Sequence, residues 1–333
     1  MDISFIWAAI IALGVFMYVV LDGFDLGIGI LFPFFPKDED RDVLMNTVAP
    51  VWDGNETWLV LGGAGLFAAF PLAYSSILSA LYLPLIMMLI CLIFRGVSFE
   101  LRAKSRRTRN LWDLAFIVGS AGATFSQGVA LGGYISGIKV GPLGFAGGSL
   151  DWVSPFSLFC GFALMSCYAV LGCGWLIAKT EGEIRRRMYQ LMGPLTLLML
   201  AFIVAVSVWT PLGDASIAAR WFSMPTLIYL APVPILTLLA ALVIRWGIKA
   251  KRDRTPFIAA LCLVALCYIG FICSLWPNII PPSVSIWDAS SPHSSQLFSL
   301  VGVVIVLPII LIYTTLGYWV FRGKVRHDDP GYH

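Results

Sequence analysis

Nine stretches of this chain stay apolar for about 20 residues at a time, the length that carries a helix through ~30 Å of hydrocarbon. They lie near residues 4–31, 51–71, 74–95, 111–135, 155–178, 191–212, 225–246, 256–276 and 297–321. In lipid every backbone amide must be satisfied within its own segment, so this pattern dictates an all-α polytopic membrane protein. Composition agrees: 59% of the 333 residues are hydrophobic and 12% are charged, against about 25% charged in soluble domains. A net charge of +3 is too small to attract nucleic acid and leaves membrane lipids as the expected surroundings. The opening "MDISFIWAAIIALG" has Asp2 where a leader carries basic residues and lacks a small-residue cleavage pattern, so it reads as a first span.

Of the 22 Lys and Arg, all but Lys139 and Arg220 fall in the connections 35–50, 95–110, 179–190, 245–255 and the tail from 322. Cytoplasmic loops hold the excess of basic residues. The N-terminus is therefore expected outside and the C-terminus inside, which requires an odd number of spans. Nine satisfies that.

The seven cysteines all fall within predicted spans without a C-x-x-C pair, and they read as small buried hydrophobes. His293 lies in a predicted external loop, and His327 and His333 in the tail. No span contains a histidine, so the chain offers no axial imidazole for haem. Alone it is expected to be colourless and inactive, with no metal site and no cofactor held by its own ligands. The Pro- and Ser-rich loop "WPNIIPPSVSIWDASSPHSSQ" reads as an interfacial cap.

Polar residues concentrate in the first half. In "VVLDGFDLGIGILF", Asp22 and Asp25 stand three residues apart, about 60° from each other around a helix. Asp53 and Glu56 repeat that spacing at the start of the second span. With the first helix descending and the second rising, the four carboxylates come to similar depth. An acidic residue at mid-span costs roughly 2.5–3.5 kcal/mol and normally faces a bundle interior or a water-filled path. Carboxylates crowded in a low dielectric disfavour ionising together, which is the chemistry of a proton relay open to the cytoplasm. Gly23, Gly27 and Gly29 on one helix, and Gly62, Gly63 and Gly65 on the other, are expected to let these two spans approach closely. Arg95, at the predicted inner end of the third span, is placed to pair with Asp53 or Asp25; the basic residues beyond it read as topology signals and lipid-headgroup contacts.

The stretches "LDGFDLGIGIL", "NTVAPVWDGNETWLVLGGAGLFAAFP" and "LIFRGVSFELR", in this order, resemble subunit II of the cytochrome bd family of bacterial quinol oxidases, including its cyanide-insensitive branch. The motifs cover roughly the first 110 residues. The resemblance implies two four-helix bundles plus one peripheral helix, with 1–135 forming the first bundle, 136–276 the second, and 277–333 the external loop, ninth helix and cytoplasmic tail. It also implies a bacterial cytoplasmic (inner) membrane and a partner subunit I carrying b- and d-type haems, or b alone. A small single-helix accessory subunit and, in some members, a structural quinone go with it. The complex oxidises quinol and reduces dioxygen to water with protons from the cytoplasm. By motif position, Asp53 matches the functional acidic residue of the cytoplasmic proton pathway. Asp25 matches the acidic position of the DGFD motif, Arg95 the arginine ending the third span, and Trp58 the mouth of a lateral oxygen channel. Glu56 departs from the pattern, standing where a familiar member has Gln. Asp22 joins the relay on spacing alone.

Two other readings accommodate the same residues. A proton- or sodium-coupled secondary transporter would use the acidic cluster for coupling, although the second half lacks the matching charged or broken helices of an inverted repeat. An inert scaffold subunit would use its buried carboxylates only for contacts.

Overall fold

Because apolar runs of this length satisfy their backbone only as helices, helices make up most of the computed structural model. It describes residues 2–105, 107–142 and 144–326; His327 and His333 lie outside the described residues. Helix α1 (Ile3–Leu31) opens with Asp2 as its N-cap, whose carboxylate accepts from the Ser4 amide at 3.0 Å. A short helix α2 (Asp38–Asn46) follows, favoured by Asp38, Glu39 and Asp40 in its first turn, where the helix dipole welcomes negative charge. Next come α3 (Trp52–Ala69), α4 (Pro71–Ala80), α5 (Tyr82–Lys104) and α6 (Arg109–Ile135). A two-residue hairpin, β1 (Val140–Gly141) with β2 (Gly144–Phe145), leads to α7 (Pro155–Lys179) and α8 (Gly182–Gly213). The chain continues through α9 (Ala215–Phe222), α10 (Thr226–Leu230), α11 (Pro232–Lys249) and α12 (Thr255–Leu275). A second hairpin, β3 (Asn278–Ile280) with β4 (Val284–Ser285), folds the loop before α13 (His293–Val320).

Among the described residues, eight helical segments are long and apolar enough to cross a membrane, where the sequence predicts nine. The difference is α3. Its 18 residues span ~27 Å, and Asp53, Asn55, Glu56 and four glycines dilute its hydropathy. The expected third span also shifts: the chain breaks between α4 and α5, and α5 continues to Lys104. Arg95 therefore sits well inside α5 rather than at its inner end.

Helix α1 is central, packing against α3, α6, α7, α12 and α13. Its glycines do not serve the approach the spacing suggests. A Cβ on Gly27 would run into the Tyr168 carbonyl oxygen, and one on Gly172 would lie 2.6 Å from the Gly27 carbonyl carbon, so α1 and α7 meet backbone to backbone. Gly29 faces Ser120 of α6. The contact with α3 is made higher on α1, where Gly14 meets Gly62, while Gly63 faces open space. Gly119 of α6 lies against the backbone of Cys91 and Arg95, which seats α5 tightly at the arginine.

Gly27→Val should force α1 from α7 and cost about 1–3 kcal/mol or block assembly, whereas Gly63→Ala should be neutral. Thermal unfolding and yield of the solubilised complex measure both. Equal stability of the two variants would contradict the backbone contact.

Candidate functional site

Three helices converge on one guanidinium. Arg95 of α5 is fully buried, as are Asp22 and Asp25 of α1. Its Nη1 stands 2.7 Å from Glu56 Oε1 on α3 and 3.0 Å from Asp22 Oδ1, and its Nη2 stands 3.4 Å from Asp25 Oδ2. Trp52 and Phe99 stack on each other with centroids 5.1 Å apart, and the guanidinium lies 5.7 and 5.6 Å from their centroids. This aromatic wall covers one side of the ion cluster. Three carboxylates around one cation leave charge that the arginine does not balance, and an uncompensated buried charge costs several kcal/mol. Protons are the charge carriers at hand.

The cluster has a direction. The Glu56 side chain is 29% exposed, whereas those of Asp22 and Asp25 are inaccessible. Asp53, one turn before Glu56 on α3, is exposed and forms no ion pair among the described residues. The carboxylates thus grade from the surface inwards, Asp53 to Glu56 to Asp22 and Asp25. Of the partners expected for Arg95, Asp25 is present and Asp53 is not; Glu56 and Asp22 take the guanidinium instead, because Asp53 points off the packed face of α3. Trp58 is fully buried, its turn of α3 lying against Gly14 of α1.

The sequence reading does not single out Asn55 and Tyr318. Asn55, buried between Asp53 and Glu56 in the same motif, donates from Nδ2 to Asp25 Oδ2 at 2.7 Å. The Tyr318 hydroxyl of α13 donates to Asn55 Oδ1 at 2.8 Å. Asn55 sits on the polar side of the helix that Glu56 also occupies, a signal that was there to use. Tyr318 carries none, being one tyrosine in a long apolar helix.

A second ionic cluster ties α2 to α5 and α6. Arg41 donates to Asp113 Oδ2 at 2.7 Å and to the Phe35 carbonyl at 2.7 Å. Arg102 bonds both Asp113 and Asp42, and Arg109 bonds Asp42. Arg102 is thus a buried structural cation rather than a headgroup contact. Burial pushes the Asp42 carboxyl up, but hydrogen bonds and charge from Arg109 and Arg102 outweigh it and hold the group below its ordinary value.

Set beside known proteins, residues 3–321 match the sequence model of the family described as cytochrome bd terminal oxidase subunit II. Cytochrome bd-I ubiquinol oxidase subunit 2 of Escherichia coli (strain K12) is 27% identical, with 98% of this chain and 96% of that protein covered. Cytochrome bd ubiquinol oxidase subunit 2 of Bacillus subtilis (strain 168) is 28% identical, with 99% and 98% covered. The fold superposes on a chain of the bd oxidase structure from Geobacillus thermodenitrificans with a TM-score of 0.81, covering 96% of this chain and 99% of that one at 17% identity.

Two outcomes follow from the clusters. Arg95→Met should strip the buried carboxylates of their cation and destabilise the complex by about 3–5 kcal/mol, with Asp22→Asn in the same chain restoring part of the loss; thermal melts of the two variants decide it. Asp42, held below its unfolded value, contributes stability that is present above ~3.9 and lost as pH falls through its folded value. Asp42→Asn should therefore melt earlier than the parent at pH 7 and pH 5, and the gap should close only below about pH 4. A gap of constant size across that range would contradict the ion pairs.

Proposed function

Since the chain belongs to the cytochrome bd terminal oxidase subunit II family, and so is a multi-pass membrane subunit of a respiratory quinol oxidase, we propose that it supplies the complex with a proton path from the cytoplasm. The observation that carries this reading is the graded line of carboxylates around Arg95, exposed at Asp53, half-covered at Glu56 and sealed at Asp22 and Asp25. Reduction of dioxygen to water consumes protons, and a carboxylate ladder delivers them by short transfers between adjacent acids. Arg95 keeps the acids from repelling one another apart and leaves a surplus of carboxylates over positive charge, so a proton entering at Glu56 relieves the imbalance.

The haems belong to the partner in this proposal. His293, expected in an external loop, is instead the exposed first residue of α13, and no other histidine stands among the described residues. On family membership, b- and d-type haems, or b alone, are assigned to subunit I, which also takes quinol. The chain by itself is then inactive. We place residues 1–135 and 136–276 as two four-helix bundles, with 277–333 contributing a peripheral ninth helix and tail. The N-terminus is outside the bacterial cytoplasmic membrane, and α3 counts as the ninth span once its polar end lies at the cytoplasmic boundary. The exposed flank of α3 that carries Asp53 is offered to the partner or to water. Trp58, sealed within this chain, would border an oxygen channel only from inside. A structural quinone and a single-helix accessory subunit are further parts this reading accommodates. Family membership sets the transporter reading aside and leaves the inert scaffold as the contrast.

Asp53→Asn separates the two. The relay requires an assembled complex with unchanged haem absorbance and quinol-driven oxygen consumption reduced by about 100-fold, the scale of a lost proton-transfer group. Unimpaired turnover in that assembled variant would leave the subunit a scaffold.

A further inference from the structure

Helix α13 is the least embedded of the long helices, with most of its side chains facing outward, yet it places one polar atom in the carboxylate cluster. The Tyr318 ring is held edge-on to Phe24 and Trp175, with centroids 6.3 and 6.0 Å away, which aims its hydroxyl at Asn55. Below Tyr318 the chain is tied down again. The Lys179 ammonium donates to the carbonyls of Phe321 and Gly323, the Val325 amide donates to the Lys179 carbonyl at 2.8 Å, and Lys324 pairs with Asp253 at 2.6 Å. The tail therefore fixes the level at which Tyr318 meets α3.

The consequence lies in the two ends of an amide. Asn55 Oδ1 accepts from Tyr318 while the acceptor-only Leu21 carbonyl takes Nδ2, and together they orient the amide with Nδ2 toward Asp25. Nδ2 donates to Asp25 Oδ2 at 2.7 Å and reaches the Leu21 carbonyl at 3.4 Å, and Arg95 Nη2 approaches the same Oδ2 at 3.4 Å. Oδ2 thus faces donors only and has no room for a proton of its own. Oδ1 of Asp25 is buried and has no hydrogen-bond partner among the described residues. We infer that Tyr318 is a positioning residue for the relay: by locking the Asn55 amide it directs proton uptake and release by Asp25 to a single oxygen, Oδ1. Without the tyrosine hydroxyl the amide is free to turn and present its own oxygen to Asp25. That oxygen would trap the acid's proton in a hydrogen bond on the wrong side of the carboxyl group.

This inference rests on the proposed relay, and the test separates the two. Difference infrared spectra between acid and alkaline pH are recorded on the intact complex with its partner subunit, and the carboxylic C=O band that shifts in D2O is assigned by its loss in Asp25→Asn. Tyr318→Phe keeps the ring and its packing. The positioning role predicts normal haem absorbance, a displaced Asp25 band, and oxygen consumption lower by about 10- to 100-fold, the scale on which losing the partner that orients a metal ligand acts. If Tyr318→Phe does not assemble, Asn55→Leu carries the same test, since it removes both ends of the amide and must displace the same band. An Asp25-dependent band that stays in place in the assembled variant overturns the role of Tyr318 and leaves the relay standing. Absence of any Asp25-dependent band in the parent overturns the relay itself, and the inference with it.

Discussion

The buried guanidinium of Arg95 is the interaction on which the interior of this protein turns. Two aspartates on α1 and a glutamate on α3 pair with this cation and, among the described residues, with no other, and acids inside a membrane normally find such a partner. The cation is bought with packing: α6 lies against the backbone of α5 at Arg95 through Gly119, and Trp52 and Phe99 close over the charge. Since the three acids come from two helices and the base from a third, the cluster sets the mutual depth of α1, α3 and α5.

Charge balance then links structure to function. One arginine faces three carboxylates, and exposure falls steadily from Asp53 to Asp25. The second cluster, Arg41, Asp42, Arg102, Arg109 and Asp113, has cations in excess and holds α2 against α5 and α6. The two sets of charges sit on the same helices with opposite balances. The acid-rich one is suited to taking up protons, and the base-rich one to holding a fixed shape.

Much of this was legible in the sequence. Most helix positions follow from run length, the third span excepted, and the three-residue spacing of Asp22 with Asp25 and of Asp53 with Glu56 puts each pair near one face. What spacing does not specify is which side of the helix the neighbour occupies. Asp53 and Glu56 share a face only to within about 60°, and that angle is the difference between an exposed acid and one bonded to Arg95. The α1 glycines illustrate the same limit: Gly27 marks a close approach, but the partner is α7, more than a hundred residues away. Tyr318 was beyond reach, because a contact across 263 residues leaves no local pattern. Asp113 had a signal, an acid one turn inside an apolar run, that the nearer arginines obscured.

The central claim is that protons for the complex pass through the Arg95 cluster of this subunit. The direct measurement is proton uptake during quinol-driven turnover, read from a pH-sensitive dye in vesicles holding the intact complex, with the Asp25→Asn variant beside its parent. The account predicts that uptake and oxygen consumption slow together in the variant while haem reduction by quinol under anaerobic conditions keeps its parental rate. Uptake and oxygen consumption at the parental rate would show that protons reach the oxygen site by another way.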